Sequence, residues 1–224
     1  FDLEKDLEVK ETSANHHKKK QKHNIYKSII NTDQEFNQRM SYLIHLLKDE
    51  NKSRSIIFFN TKLECHKASI ILKKFMISSR EMHSDIDHWQ RTSALKDFDE
   101  NKVKFLLATD VIGRGIDVEN VKFVINFQMP VQSERYVHRI GRTARKGNFG
   151  QAITICNSVD RTIFKRMMKK EAFQVDPIQI SNEEVKKIFR SLKTMRNEVD
   201  SEMEVDYTDK QLVFGEMTLK KEVN

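Results

Sequence analysis

The stretch KFLLATDVIGRGID, residues 104–117, joins a short apolar run to a loop that carries two glycines. An apolar run of this length is typical of a strand that is buried on both faces of a sheet. Glycines let backbone N–H groups approach a phosphate closely. We therefore expect a buried strand that ends at Thr109–Asp110, followed by a phosphate-binding loop. The alternative is an ordinary turn in which Asp117 caps the next element.

Similar apolar runs recur along the chain and alternate with helical patterns. They are SIIFFN (55–60), KFVINF (122–127) and QAITIC (151–156), with a weaker strand near Ser79–Met82. Strands that alternate with helices predict parallel βαβ units. The expected fold is α/β, a doubly wound and mainly parallel sheet followed by a C-terminal helical extension.

The two ends of the chain differ from this central domain, which we place at residues 28–176. Residues 1–27 are polar and include HHKKKQKH at 16–23, so we expect a linker or arm. A localisation signal, an RNA-contacting arm and a solvated loop are all compatible with that run. Within residues 177–224, apolar residues line one side of a helix that should pack on its own domain, and the tail from Asp200 should be irregular.

The amino-acid composition indicates which kinds of partner this chain is expected to bind. The net charge is +7, which favours a polyanion, although a solvated basic surface explains the same excess. The two cysteines, Cys65 and Cys156, are far apart and lack a CxxC spacing, so we expect neither a disulfide framework nor a metal site. The sequence has no apolar run of about eighteen residues, so we expect no membrane partner.

A second segment that carries candidate functional residues is HRIGRTARKG, residues 138–147. Its arginines, Arg139, Arg142 and Arg145, recur every third residue and would project from one side of a helical turn. Guanidinium groups placed in this way suit the charge that develops on a transferring phosphoryl group. A plain basic solvent face is the alternative.

Four segments, in order, resemble motifs of the second RecA-like lobe of DEAD-box RNA helicases. They are IIFFNT (56–61), MHSDIDHWQR (82–91), ATDVIGRGID (108–117) and HRIGRTAR (138–145). The resemblance covers roughly residues 30–175. Ser84 stands where the family usually has glycine, and His88 where it usually has glutamine. The resemblance therefore does not fix how this segment contacts an RNA strand.

The resemblance implies roles for the residues at matching positions. Arg142 and Arg145 would be arginine fingers, and His138 would lie at the junction between lobes. Asp117 would bind the ribose and orient Arg139. The implied nucleotide-binding set is Gly115, Asp117, Arg139, Arg142 and Arg145. The implied RNA-binding set is Thr61, His83, Arg91, Thr109 and Asp110. The implied cofactor is ATP with Mg²⁺, the ion being held mainly by the first lobe.

The 224 residues contain neither a GxxxxGK[ST] phosphate loop nor a DEAD tetrapeptide. The resemblance therefore implies half of an ATP-dependent RNA helicase, and this chain alone should not hydrolyse ATP. The alternatives are a non-catalytic module that binds RNA or protein, and a helicase that acts on DNA. Similarity outside the motifs favours the nucleolar branch, which implies pre-ribosomal partners and a nuclear, nucleolar location, with the cytoplasm as the alternative.

Overall fold

The computed structural model describes residues 21–28, 32–110, 121–130, 132–144, 150–171, 175–178 and 180–206. The strands are β1 (Gln21–Ser28), β2 (Ser55–Phe59), β3 (Ser79–Met82), β4 (Phe105–Thr109), β5 (Phe123–Asn126), β6 (Gly150–Asn157) and β7 (Val175–Pro177). The helices are α1 (Thr32–Leu47), α2 (Lys62–Lys74), α3 (His88–Asp99), α4 (Ser133–Ile140), α5 (Ser158–Glu171), α6 (Asn182–Thr194) and α7 (196–206). A short 3-10 turn, Glu50–Lys52, precedes β2.

The seven strands form one sheet in the order β3-β4-β2-β5-β6-β1-β7. Each of the six neighbouring pairs is parallel. Parallel neighbours require crossover connections, and α2, α3 and α4 supply them between the central strands. The predicted α/β class with a doubly wound parallel sheet is confirmed.

The central strands β2 and β4 are buried along their whole length. Successive side chains point to opposite faces of a strand. Ile57 and Phe59 accordingly pack with α1 and α2 on one face, whereas Ile56 and Phe58 pack with α3 on the other. Both faces of the sheet are therefore covered by helices, which leaves the strand ends as the open edges where ligands bind in such folds.

Strand β1 differs from the expectation for residues 1–27. Residues 21–27, which we assigned to a polar arm, belong to β1, which pairs with β6 from Gln21 opposite Gly150 to Ser28 opposite Asn157. A parallel ladder is held by backbone hydrogen bonds, so a polar segment can join it without an apolar pattern. Residues 1–20 lie outside the described residues.

The C-terminal extension packs on the domain, as its apolar stripe predicted. Ile188 and Leu192 of α6 lie in the same core cluster as α1. The expected irregular tail from Asp200 is wrong as far as residue 206, because α7 continues to that point. Lys67 and Lys74 of α2 form ion pairs with acidic residues of α7, 3.1 Å to Asp200 and 3.1 Å to Glu202. Within the described parts of the chain, no helix has both the length and the apolar character needed to cross a membrane.

Candidate nucleotide and RNA site

Polar side chains gather where the central strands end. Asn60 follows β2, Asp110 follows β4, and Asn126 is the last residue of β5. Because these strands are adjacent and parallel, their carboxyl ends meet at one edge of the sheet. Helix α4 lies at this edge and directs Arg139 towards all three residues.

Arg139 forms the centre of this edge. Its Nε donates to Asp110 Oδ1 at 2.6 Å and one Nη donates to Asp110 Oδ2 at 2.9 Å, a two-pronged ion pair. The same Nη donates to Asn60 Oδ1 at 2.8 Å. The other Nη donates to the Gln128 carbonyl at 3.0 Å and to Asn126 Oδ1 at 3.4 Å. We call Arg139 with these four partners the Arg139 junction.

The Arg139 side chain is only 1% exposed, and its guanidinium lies 5.4 Å from the centre of the Phe58 ring. A buried guanidinium is tolerated when it is paired and hydrogen-bonded. All five of its N–H groups are engaged within the protein, so Arg139 fixes α4 to the sheet, and its contact with a nucleotide stays a prediction. The predicted orienting partner, Asp117, lies outside the described residues; among the described residues, Asp110 holds Arg139.

Helix α4 presents two different faces. Tyr136 is buried, with its hydroxyl 3.3 Å from Thr154 Oγ1 and its ring 5.8 Å from Phe164, and burial raises the pKa of its phenol. His138 lies on the exposed face. The helix ends at Ile140, so Arg142 falls in the turn beyond it, half-buried, with its Nε 3.3 Å from the His138 carbonyl oxygen.

The structure therefore separates the arginines that sequence spacing placed on one side. Arg139 points into the sheet edge, whereas Arg142 lies at the surface beside His138. The predicted common face is wrong for this pair, because the helix ends between them. The third arginine, Arg145, lies outside the described residues, as does Gly115.

Residues predicted to contact RNA occupy different environments. Thr61 caps α2: its hydroxyl accepts from the Glu64 amide at 3.2 Å and donates to the Glu64 carboxylate at 2.7 Å. Thr109 is buried at the end of β4, and Asp110 is held by Arg139. Arg91 is half-buried and donates to the Ile86 carbonyl at 2.5 Å, which ties the start of α3 to the preceding loop.

His83, also predicted to contact RNA, is buried between two partners. Its Nε2 lies 3.1 Å from Glu81 Oε2, and its Nδ1 accepts from the Asp85 amide at 3.3 Å. Both ring nitrogens are thus engaged inside the protein. In the structure, His83 shapes the loop between β3 and α3, and its contact with RNA stays a prediction.

The sequence did not reveal that His66 of α2 joins His83 around Glu81. His66 Nδ1 lies 3.0 Å from Glu81 Oε2, and its Nε2 lies 3.0 Å from Asp206 of α7. Burial alone would raise the pKa of Glu81, but hydrogen bonds from His66 and His83 outweigh it and lower the pKa to about 2.

Two imidazoles and a carboxylate within 4.8 Å of one another resemble a zinc ligand set. The Asp85 amide, however, donates to His83 Nδ1, which places the ring proton on Nε2, facing Glu81. A metal bound to His83 Nε2 would leave the ring proton on Nδ1. The Nδ1–H group would then point at the Asp85 N–H group, and neither donor would have an acceptor there. The group is therefore complete as a hydrogen-bonded cluster, and we call His66, Glu81 and His83 the histidine–glutamate cluster.

Comparison with known proteins gives the family. Residues 38–147 match the helicase conserved C-terminal domain. The chain is 37% identical over 188 residues to the ATP-dependent RNA helicase DRS1 of Mycosarcoma maydis, which covers 84% of this chain and 20% of the relative. Other curated relatives share 32–36% identity, and the chain spans about a quarter of their length or less.

Solved structures agree with these relatives. The E. coli DEAD-box protein SrmB, in a complex with the regulator of ribonuclease activity A, is 29% identical with a TM-score of 0.62, over 74% of this chain and 93% of that one. S. cerevisiae Dbp5 L327V, bound to RNA and ADP BeF3, is 26% identical with a TM-score of 0.63, over 80% of this chain and 46% of that one. The chain therefore belongs to the DEAD-box RNA helicases and contains their C-terminal RecA-like domain.

Proposed function

We propose that this chain is the second lobe of an ATP-dependent RNA helicase, and that it completes an ATP and RNA site formed with a first lobe of the same protein. The observation that carries the proposal is the Arg139 junction. It fixes α4 at the carboxyl edge of the sheet, with His138 exposed and Arg142 at the surface beyond the helix end. That edge is where parallel α/β sheets bind ligands.

In the proposed mechanism, Arg142 and Arg145 place positive charge beside the γ-phosphate of ATP that the first lobe presents. Positive charge held there stabilises the transition state of phosphoryl transfer, and arginine fingers contribute roughly 10³–10⁵ in rate. His138, exposed on α4, contacts the first lobe and links nucleotide binding to closure of the cleft. Asp117 and Gly115, in the segment that follows β4 in the sequence, contact the ribose and phosphates.

The Mg²⁺ that accompanies ATP is proposed to bind mainly to the first lobe. Mg²⁺ is held by carboxylate oxygens together with phosphate oxygens. Both oxygens of Asp110 accept hydrogen bonds from Arg139, and Glu64, a second carboxylate at this edge, accepts hydrogen bonds from Thr61 and Gln128. Both carboxylates are therefore engaged within the protein and do not suit the ion.

RNA is proposed to cross the sheet edge near the start of α3, where Arg91 reaches its backbone. Phosphate and sugar contacts carry no sequence information, so little base specificity is expected. The pathway is proposed to be assembly of the large ribosomal subunit in the nucleolus, which similarity outside the motifs supports. A fluorescent fusion excluded from the nucleolus would contradict that location.

The proposal is tested by ATP hydrolysis of the full-length protein with RNA and with DNA of the same sequence. We expect RNA to stimulate hydrolysis and DNA to leave it near the basal rate. The 224-residue chain alone should show no hydrolysis with either nucleic acid. Equal stimulation by DNA would contradict the substrate class, and hydrolysis by the isolated chain would contradict the division of the site between two lobes.

A further inference from the structure

Helix α5 carries an unusual charge pattern on its outer side. Between residues 161 and 170 the sequence RTIFKRMMKK has five basic residues and no acidic one. Phe164, Met167 and Met168 face the core. The outer side is exposed and carries the residues that we call the α5 basic face: Lys165, Arg166, Lys169 and Lys170.

In the part of the chain that the structure describes, no ion pair neutralises the α5 basic face. The one acidic side chain described on the helix, Asp160, pairs with Arg39 at 2.6 Å. Lys165 lies one turn from Lys169, and Arg166 one turn from Lys170. Like charges at this spacing destabilise a helix, so the repulsion among these side chains opposes the folding of α5.

Two lysines of α2 behave differently. Lys67 and Lys74 of α2 are neutralised by Asp200 and Glu202 of α7. An excess of basic residues therefore does not by itself leave cations unpaired in this fold. The α5 basic face stands apart because four cations without a described ion pair lie within about 8 Å along one helix axis.

The core holds α5 in a fixed orientation. The ring of Phe164 packs edge-on against Tyr136 of α4, 5.8 Å between centres, and Met167 and Met168 lie in the same cluster. The pKa of Glu134 on α4 is lowered mainly by hydrogen bonds from its own amide and from Ser133, with smaller contributions from the charges of Lys170 and His138. The basic face thus lies beside the helix that carries His138.

We propose that the α5 basic face binds the phosphate backbone of an RNA strand that extends beyond the groove at the sheet edge. This inference rests on the proposed function, because it assumes that the groove itself binds RNA. Lysine and arginine without partners attract phosphates and release their counterions, whatever the base sequence. The face therefore adds affinity for long or flanking RNA without adding specificity.

The test compares two double variants of the full-length protein. Lys165→Gln with Lys169→Gln removes two charges from the α5 basic face. Lys187→Gln with Arg190→Gln removes two exposed charges from α6 and serves as the matched control. The probe is a fluorescent single-stranded RNA long enough to leave the groove, and its affinity is measured by anisotropy across a range of salt concentrations.

We expect the α5 variant to bind this RNA about tenfold more weakly at low salt, and its plot of log affinity against log salt to be shallower by about 1.4, the value for two lost phosphate contacts on a single strand. The control should keep the wild-type affinity and slope. Both variants should keep the wild-type melting temperature.

The possible outcomes separate this inference from the proposed function. If the wild-type protein binds RNA and the α5 variant keeps its affinity and slope, the basic face is not an RNA site and the proposed function stands. If the wild-type protein does not bind RNA, the proposed function fails together with the inference.

Discussion

The Arg139 junction and the α5 basic face differ in whether their positive charges are paired within the protein. At the junction, one guanidinium is buried and every N–H group has an acceptor within the protein. On α5, four cations are exposed and have no described ion pair. The comparison shows that a basic residue indicates a ligand site only when its hydrogen-bond and ion-pair partners within the protein are known.

The histidine–glutamate cluster belongs with the junction. Glu81 accepts hydrogen bonds from two histidines, just as Asp110 accepts two from Arg139. Asp110 follows β4 and Glu81 lies in the neighbouring strand β3, and the two carboxylates hold α4 and α2 to the sheet. These two networks are therefore expected to contribute stability, whereas Arg142, His138 and the α5 basic face are expected to contribute binding and catalysis.

The largest effect on stability is expected for Arg139→Ala. The change removes five hydrogen bonds and leaves the mostly buried Asp110 carboxylate with only a longer ion pair, 3.7 Å to Arg135 Nη1. Loss of one member of a buried ion pair costs about 3–5 kcal/mol. Urea unfolding measures the difference from wild type.

Arg139→Lys is the control for this prediction, since it retains the charge but cannot form the two-pronged contact. We expect it to be destabilised by less than the alanine variant. If Arg139→Ala lowers the free energy of unfolding by less than about 1 kcal/mol, the junction contributes no more than an ordinary surface ion pair. The proposed difference between the junction and the α5 basic face would then be contradicted.

The next effect concerns acid stability. The pKa of Glu81 is about 2 in the folded protein, below its ordinary value of 4.5. A carboxyl whose pKa falls on folding stabilises the protein above its unfolded pKa, and this contribution disappears as the pH falls from about 4.5 towards 2. The contribution is about 3 kcal/mol.

Glu81→Gln isolates this contribution, because the other carboxylates titrate in both proteins. The free energy of unfolding, measured from pH 7 to pH 2, should fall more steeply for wild type than for the variant, with the difference confined to the acid range. Parallel curves for the two proteins would show that the histidine–glutamate cluster does not hold Glu81 in its ionised form.

The smallest effect is expected at the ion pairs between α2 and α7. Lys67→Met removes the pair with Asp200, which is half-exposed, and such pairs are worth about 0.2–1 kcal/mol. The loss should shrink as salt is added, because salt screens exposed charges. Thermal unfolding of both proteins at low and high salt measures this. A loss that does not change with salt would point to packing of the lysine stem instead of its charge.

The central strands were predictable because their apolar runs encode burial on both faces. β3 matches its predicted bounds, and β2 and β4 match within one residue at each end. Strand β1 was not predictable, because QKHNIYKS has little apolar content and joins the sheet through its backbone. Its partner strand begins more than a hundred residues later in the chain, a distance over which local pattern carries no information.

The convergence of polar residues at one sheet edge was predictable, but the contacts of Arg139 were not. The spacing of Arg139 and Arg142 indicated a phosphate-binding helix, yet spacing does not show where that helix ends. Because α4 ends at Ile140, the two side chains diverge. The acceptors of Arg139 come from the ends of three strands, so its burial follows from the order of the sheet and not from the local sequence.

The central claim is that α4 commits Arg139 to the structure and leaves Arg142 for the nucleotide. The most direct test is RNA-stimulated ATP hydrolysis by full-length Arg142→Ala, measured together with its melting temperature. The account predicts a loss in kcat of roughly 10³ or more with an unchanged melting temperature. Near-normal turnover, or an equal loss of stability and turnover, would contradict it.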